Sequence, residues 1–363
     1  MNVIWLSLII SVILVSLCII KRDSKPMFYL LFAWMWILFT FNHANADFKM
    51  YRSIYYGTLS VSSIESGFYL LCKIFRNLGF TYNMFLGVYS FVGLTLISKT
   101  IFKYSNNKSL VLGLYFIFPF VFDVIQIRNF MAFAIVIYSL KYLIDKDNIN
   151  IKRYILLILI ASMFHSFALI ALAFIFLNKF HSSKVKLAVF LSILFIVIIL
   201  RNGLLVDLLS KIVNSEKVAA YFVDSRYMPG LKTSLLSILI CLLMYIISYL
   251  TYKKTKNDFS NITYQIFILV LVLIPLLFYN ATIMRFPREM LLLLYIAFSN
   301  NLKPKTRDNK FLYNKKNIFT GVLMIVLIVL WLDTFIISIH NEKSTIYSVL
   351  RDNYVVDLFK EEE

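Results

Sequence analysis

Apolar residues in this chain follow one another in long runs, separated by short clusters of Lys, Arg, Asn and Asp. A helix needs about 20 apolar residues to cross the hydrocarbon core of a bilayer. The pattern predicts membrane helices at about 3–20, 27–42, 81–102, 109–125, 127–143, 187–200, 233–252, 261–279, 285–300 and 318–338. An amphipathic stretch at 67–80, carrying Lys73 and Arg76, is expected at the membrane interface. The run 154–177 carries a polar break, His165-Ser166, at its middle. Residues 43–66 and 201–232 form the two long polar loops.

Composition removes the soluble alternative. Of the 363 residues, 60% are hydrophobic and 15% charged, against roughly 45–50% and about 25% in a soluble domain. The net charge of +18 would suit a nucleic-acid binder. The basic residues are dispersed over connectors, however, so no nucleic-acid partner is expected. In a membrane chain Lys and Arg mark cytoplasmic loops and anionic headgroups. Cys18, Cys72 and Cys241 lie in apolar runs without CxxC spacing and read as core fillers. With no linker, low-complexity tract or repeat, 1–363 is expected to be a single integral membrane domain.

The positive-inside bias threads the chain. A signal peptide carries its charges before its apolar stretch. Here Lys21, Arg22 and Lys25 come after it, so residues 3–20 are read as a first span with its N-terminus outside. Loops 43–66 and 201–232 then fall on the extracytoplasmic side, and the connectors around 103–108 and 141–153 inside. If 154–177 crossed as one helix, Lys179, Lys184 and Lys186 would lie outside. Lys253, Lys254, Lys256 and the basic residues of 303–316 would be misplaced in turn. Two half-length helices meeting at His165 restore parity. The expected fold is an all-α polytopic transmembrane bundle of about 10–12 membrane segments. It includes a broken or re-entrant hairpin near 154–177, whose irregular backbone must be buried in protein or line a cavity.

Ionisable groups at membrane depth are costly and need a reason. On this threading they gather at the outer side. Asp47, Tyr51, Arg52, Tyr55 and Glu65 lie in the first outer loop. Asp123 and Arg128, the latter beside Gln126 and Asn129, flank the outer tip of a helical hairpin. His165 is at the apex of the broken hairpin, Asp224, Arg226 and Tyr227 are in the second outer loop, and Arg285, Arg288 and Glu289 begin a helix at the outer boundary. Each has a plainer reading. Asp47, Tyr51 and Tyr55 share one face of a short interfacial helix and would act as anchors. Arg128 would snorkel to headgroups, and His165 would be a satisfied core histidine. Arg285 and Arg288, one turn apart, form a two-point anion clamp or a salt bridge with Glu289, the clamp being favoured. Arginines bind phosphate by charge-assisted hydrogen bonds, and a His or carboxylate deprotonates a hydroxyl. The inventory suits an anionic, membrane-embedded substrate with a sugar hydroxyl.

Asp47-x3-Tyr51-Arg52, Glu65-x-Gly67-Phe68, Gln126-x-Arg128-Asn129-x2-Ala132 and His165-Ser166-x-Ala168 follow one another in that order. On these motifs the chain resembles the EpsG family of polysaccharide-polymerising membrane proteins, which are similar in role to the Wzy O-antigen polymerases. The likeness is strongest over 47–175, and Arg285 with the helix after it carries the C-terminal third. Family members often have Arg-Gln where this chain has Arg128-Asn129.

The resemblance implies a GT-C-like bundle and a glycosyltransferase of the bacterial cytoplasmic (inner) membrane. Such an enzyme joins repeat units carried on undecaprenyl pyrophosphate into O-antigen, capsule or exopolysaccharide at the extracytoplasmic face. The implied partners are that lipid-linked glycan, the lipid bilayer, and the flippase and chain-length regulator of the same pathway. The expected catalytic residues are His165, Asp47, Glu65 and Arg128. The expected substrate-binding residues are Tyr51, Arg52, Tyr55, Asn129, Arg226, Arg285 and Arg288. Arg128, with Arg285 or Arg288, would neutralise the departing pyrophosphate, and His165, Asp47 or Glu65 would take the acceptor's proton. With no His-x3-His pair among its four histidines, neither a metal nor a cofactor is expected. A flippase would predict repeat symmetry and charges along a central path. A glycan acyltransferase would need a route for a cytoplasmic acyl donor. The absence of a repeat and the outer gathering of charges favour the polymerase.

Overall fold

The computed structural model describes residues 4–59, 64–145, 149–179, 191, 195, 229–278, 280–302, 315–334 and 346–357. Among them every named element is helical: α1 (Ile4–Ile20), α2 (Lys25–Thr40), α3 (Phe48–Tyr56), α4 (Ser66–Asn77), α5 (Tyr82–Tyr104), α6 (Lys108–Ile117), α7 (Phe120–Ile125), α8 (Ile127–Ser139), α9 (Lys141–Ile144), α10 (Ile151–Ser162), α11 (Leu231–Thr255), α12 (Asp258–Val272), α13 (Arg285–Asn300), α14 (Lys315–Leu332), α15 (Ile346–Leu350) and α16 (Tyr354–Asp357). A 3-10 segment, Ser166–Lys179, follows α10.

Connector residues start these helices by accepting from orphan backbone N–H groups. Ser24 caps α2 through Met27, Thr81 caps α5 through Met84, Asn150 caps α10 through Arg153, and Asn257 caps α12 through Ser260. Among the described residues three helical stretches are long and apolar enough to cross a membrane: Tyr82–Tyr104, Ile127–Ile144 and Leu231–Thr255. Exposed apolar stripes, such as Phe319, Val322, Ile325 and Val329 on α14, suit a lipid-facing surface.

The expected helix 109–125 is two helices. Pro119 has no N–H and its ring clashes with the preceding turn, so the chain breaks at Phe118-Pro119, and Tyr295 donates to the Phe118 carbonyl at 3.0 Å. The expected helix 261–279 stops at Val272 and gives way to a 3-10 turn, Ile274–Phe278, around Pro275. Most of the expected helix 187–200, of the loop 201–232 and of the basic stretch 303–316 lies outside the described residues.

The chain divides into two compact units, one of residues 1–172, 291–312 and 335–363, the other of 173–290 and 313–334. In the first unit, hydrogen bonds sort the helix ends into two groups. Ser109 Oγ donates to Lys21 and Ser24 carbonyls at 3.0 and 2.9 Å, Lys108 pairs with Asp23 at 2.7 Å, and Asn107 donates to Ser299 O at 2.7 Å. Lys103 pairs with Asp145. These are the ends that carry the basic connectors. In the other group, Asn42 and Asn353 form a β-bridge, His43 pairs with Asp357 at 2.6 Å, and Asn45 donates to Val124 O at 3.5 Å. The segments that charge bias placed on one side are therefore held together at one end.

The run 154–177 doubles back. Tyr154 Oη donates to Ala171 O, 17 positions on, at 2.6 Å. A continuous helix would separate those residues by about 25 Å. The reversal runs over Met163, Phe164 and His165, between α10 and the 3-10 segment.

In the second unit α11 packs against α12 and α14. Tyr252 stacks on Tyr264 with ring centroids 5.4 Å apart.

Candidate functional site

The buried face of α3 is Phe48, Tyr51, Ile54 and Tyr55. Phe68 of α4 packs edge-on against Tyr51 at 5.6 Å and against Tyr89 of α5 at 6.0 Å. This packing sets the Tyr51 hydroxyl beside the first turn of α8. There Arg128 Nε donates to it at 3.4 Å, and the guanidinium lies 5.7 Å from the ring centroid, within cation–π range. Tyr89 Oη donates to Ile127 O at 3.2 Å and fixes the start of α8.

Glu65 stands at the N-cap of α4 without making a side-chain cap bond. Its carboxylate reaches across instead. One oxygen accepts from Arg128 Nη1 at 2.5 Å, and the other from the N–H and hydroxyl of Ser166 at 3.2 and 3.3 Å. The side chains of Arg128 and Glu65 keep 18% and 11% of their exposure, so a ligand can reach the pair. Glu65 thus links the α8 start to the hairpin apex.

Gly67 makes that approach possible. Its N–H donates to Met163 O at 2.9 Å. A Cβ at this position would lie 2.6 Å from Met163 Cβ and 2.8 Å from Met163 O.

His165, 9% exposed, accepts at Nδ1 from the Phe167 N–H at 3.3 Å. A neutral imidazole held this way carries its proton on Nε2, which makes that edge of the ring a donor. The four short motifs of the sequence thus meet within one unit. A partly exposed arginine sits in the first turn of α8, where the helix dipole also favours anions.

A model of the EpsG family matches residues 25–348, nearly the whole chain. The chain belongs to the EpsG family. No curated protein and no solved structure matches it at a significant level. EpsG membership points to a membrane protein with a role in polysaccharide polymerisation.

The expected site residues of this EpsG chain divide into two sets. Tyr51, Glu65, Arg128 and His165 gather with Ser166 as described. Asp47 stands at the start of α3, one turn before Tyr51 and half-buried, and Asn129, 2% exposed, follows Arg128.

Tyr55 does not face a ligand. It is fully buried, its hydroxyl donates to Phe80 O at 2.7 Å, and its ring packs on Tyr82 and Phe85. It is a structural anchor because the apolar face of α3 turns it inward. Arg52 is exposed and stacks over Tyr56 at 5.9 Å.

In the second unit Arg285 opens α13. The favoured clamp gives way to the salt bridge at Arg288, whose Nε and Nη2 both donate to Glu289 Oε1, at 3.2 and 2.8 Å. These residues are 3% and 5% exposed, and an arginine so buried needs a counter-ion at hand. Arg226, with Asp224 and Tyr227, lies outside the described residues.

Two contributors were not among the expected site residues. Ser166 carried a signal, since it directly follows His165. Tyr89 carried none, being one of 23 tyrosines. The core-filler reading suits the cysteines: all three are buried, and burial pushes the Cys72 thiol up to about 12.

Proposed function

We propose that this chain is a Wzy-type glycosyltransferase of GT-C-like architecture in the bacterial inner membrane. On this reading it transfers a glycan from undecaprenyl pyrophosphate to a hydroxyl of an incoming lipid-linked repeat unit. The product is a surface polysaccharide such as O-antigen, capsule or exopolysaccharide. Transfer takes place at the end of the first unit opposite the basic connectors, which the positive-inside bias makes the outer end. The observation that carries the reading is the Glu65–Arg128 pair, with an arginine held by a carboxylate at a helix start and still open to a ligand.

In this transfer the acceptor oxygen attacks the anomeric carbon. The bond from that carbon to the pyrophosphate oxygen breaks, and its electron pair leaves with the lipid pyrophosphate. Arg128 and the N-terminus of α8 stabilise the charge that develops there. Glu65, with both oxygens engaged by Arg128 and Ser166, orients the arginine and the hairpin apex. His165 donates from Nε2 to a phosphate oxygen. The acceptor proton passes to Asp47, which lies one turn from Tyr51 on α3.

The test is the lipid-linked glycan profile of a strain lacking the gene. The reading expects single repeat units to accumulate on the lipid carrier at the outer face. Absence of any unit at the outer face would point to a flippase, and full polymer lacking a substituent to an acyltransferase; either would refute it.

A further inference from the structure

The end of the first unit that carries the basic connectors holds a cavity of about 420 Å³. Lys103, Lys141, Tyr142, Asp145, Asn150 and Arg153 line it, where the end of α5, α9 and the start of α10 come together. Among the described residues that line it, three cations face one carboxylate. Asp145 is engaged by the Lys103 ammonium and by Tyr104 Oη at 3.0 Å. Asn150 is engaged as the cap of α10 through Arg153 N at 3.0 Å. Lys141 donates to Tyr138 Oη at 2.6 Å and lies 4.9 Å from the Tyr142 ring centroid. The Arg153 guanidinium is exposed and makes no side-chain ion pair among the described residues.

We infer that this cavity binds a phosphate group, presented either by an anionic phospholipid headgroup or by a small soluble phosphate compound. Arg153 supplies a planar fork for two phosphate oxygens and Lys141 a point charge. The N-terminus of α10 adds positive potential. Ile149 and Ile151, 50% and 44% exposed, place apolar surface next to these cations, as a headgroup with acyl chains would require. The helices that frame the cavity, α8 with α9 and α10, lead at their other ends to Arg128 and His165. An occupant therefore steadies the two elements on which the candidate site is built. The chemistry of the cavity is independent of the proposed reaction, and only the choice of leaflet rests on the positive-inside orientation.

The test uses the purified full-length protein in phosphatidylcholine bilayers with and without phosphatidylglycerol, with native mass spectrometry to count retained phosphatidylglycerol. Wild type is expected to retain one molecule. Arg153→Gln should lose it, with affinity down at least about fivefold, the weight of one basic side chain at an anionic surface. Arg153→Lys should recover part. Lys152→Gln, a neighbouring cation that does not line the cavity, should retain it. Displacement by millimolar inorganic pyrophosphate would identify a soluble phosphate as a competing source, and persistence would identify the lipid. Equal retention by wild type and Arg153→Gln, equal loss in Lys152→Gln, or binding of neither probe by wild type would overturn the inference. Since the Arg153 side chain is exposed and makes no ion pair among the described residues, monodisperse elution of the variant checks its fold.

Discussion

Glu65 and Arg128 meet across 63 positions of sequence, at the junction of α4, α8 and the hairpin apex, and their side chains stay 11% and 18% exposed. Arg288 and Glu289 are chain neighbours in α13 and are 3% and 5% exposed. The chemistry is the same and the consequences differ. The first pair ties separate elements together and remains open to a ligand. The second joins two neighbours of one helix and is buried, so its charges stabilise each other. A buried arginine beside its own glutamate reads as architecture, whereas an arginine held from a distance at a helix start reads as a site.

Substitutions that keep shape and remove charge sharpen this contrast. Glu65→Gln releases Arg128 and should lower the transfer rate by roughly 10²-fold, as for loss of an oriented group acting on developing charge. Its folded yield should fall only slightly, and polymer length on a gel with detergent-stable yield reads both. Glu289→Gln should do the reverse. It removes the adjacent counter-ion of a buried guanidinium, at about 3–5 kcal/mol, seen as lost folded protein. The double variant Arg288→Met/Glu289→Met should recover folding and polymer. A well-folded double variant that makes no polymer would show that Arg288 contacts substrate after all.

Gly67→Ala forces a Cβ against Met163 and should cost about 1–3 kcal/mol by overpacking, with shortened polymer, because α4 carries Glu65. Smallest is Tyr55→Phe. Loss of the hydrogen bond to Phe80 O should cost about 1 kcal/mol of thermal stability and leave polymer length unchanged.

Much of the architecture could be read in the sequence because bilayer length and charge bias are long-range constraints written in local composition. Charge parity alone required the reversal at His165, which the Tyr154–Ala171 hydrogen bond displays. The motif order also pointed to Tyr51, Glu65, Arg128 and His165. Neighbour choice was not legible. Periodicity says that Tyr51 and Tyr55 share a face, not that one meets Arg128 while the other is sealed under Phe80. Spacing offers no clue that Glu65 selects Arg128 and Ser166. The same silence let Arg288 pass as a clamp, since one turn of separation from Arg285 looks like convergence until Glu289 is seen to hold it. Pro119 marked its helix break in plain view, but a long apolar run on both sides masked it.

The most direct measurement is elongation by the purified protein in liposomes supplied with undecaprenyl-pyrophosphate-linked repeat units, comparing wild type with Arg128→Ala at equal folded amounts. Wild type should build long polymer while Arg128→Ala leaves single units on the lipid. Polymer of the same length and rate from Arg128→Ala would contradict the assignment of this pair as the site of transfer.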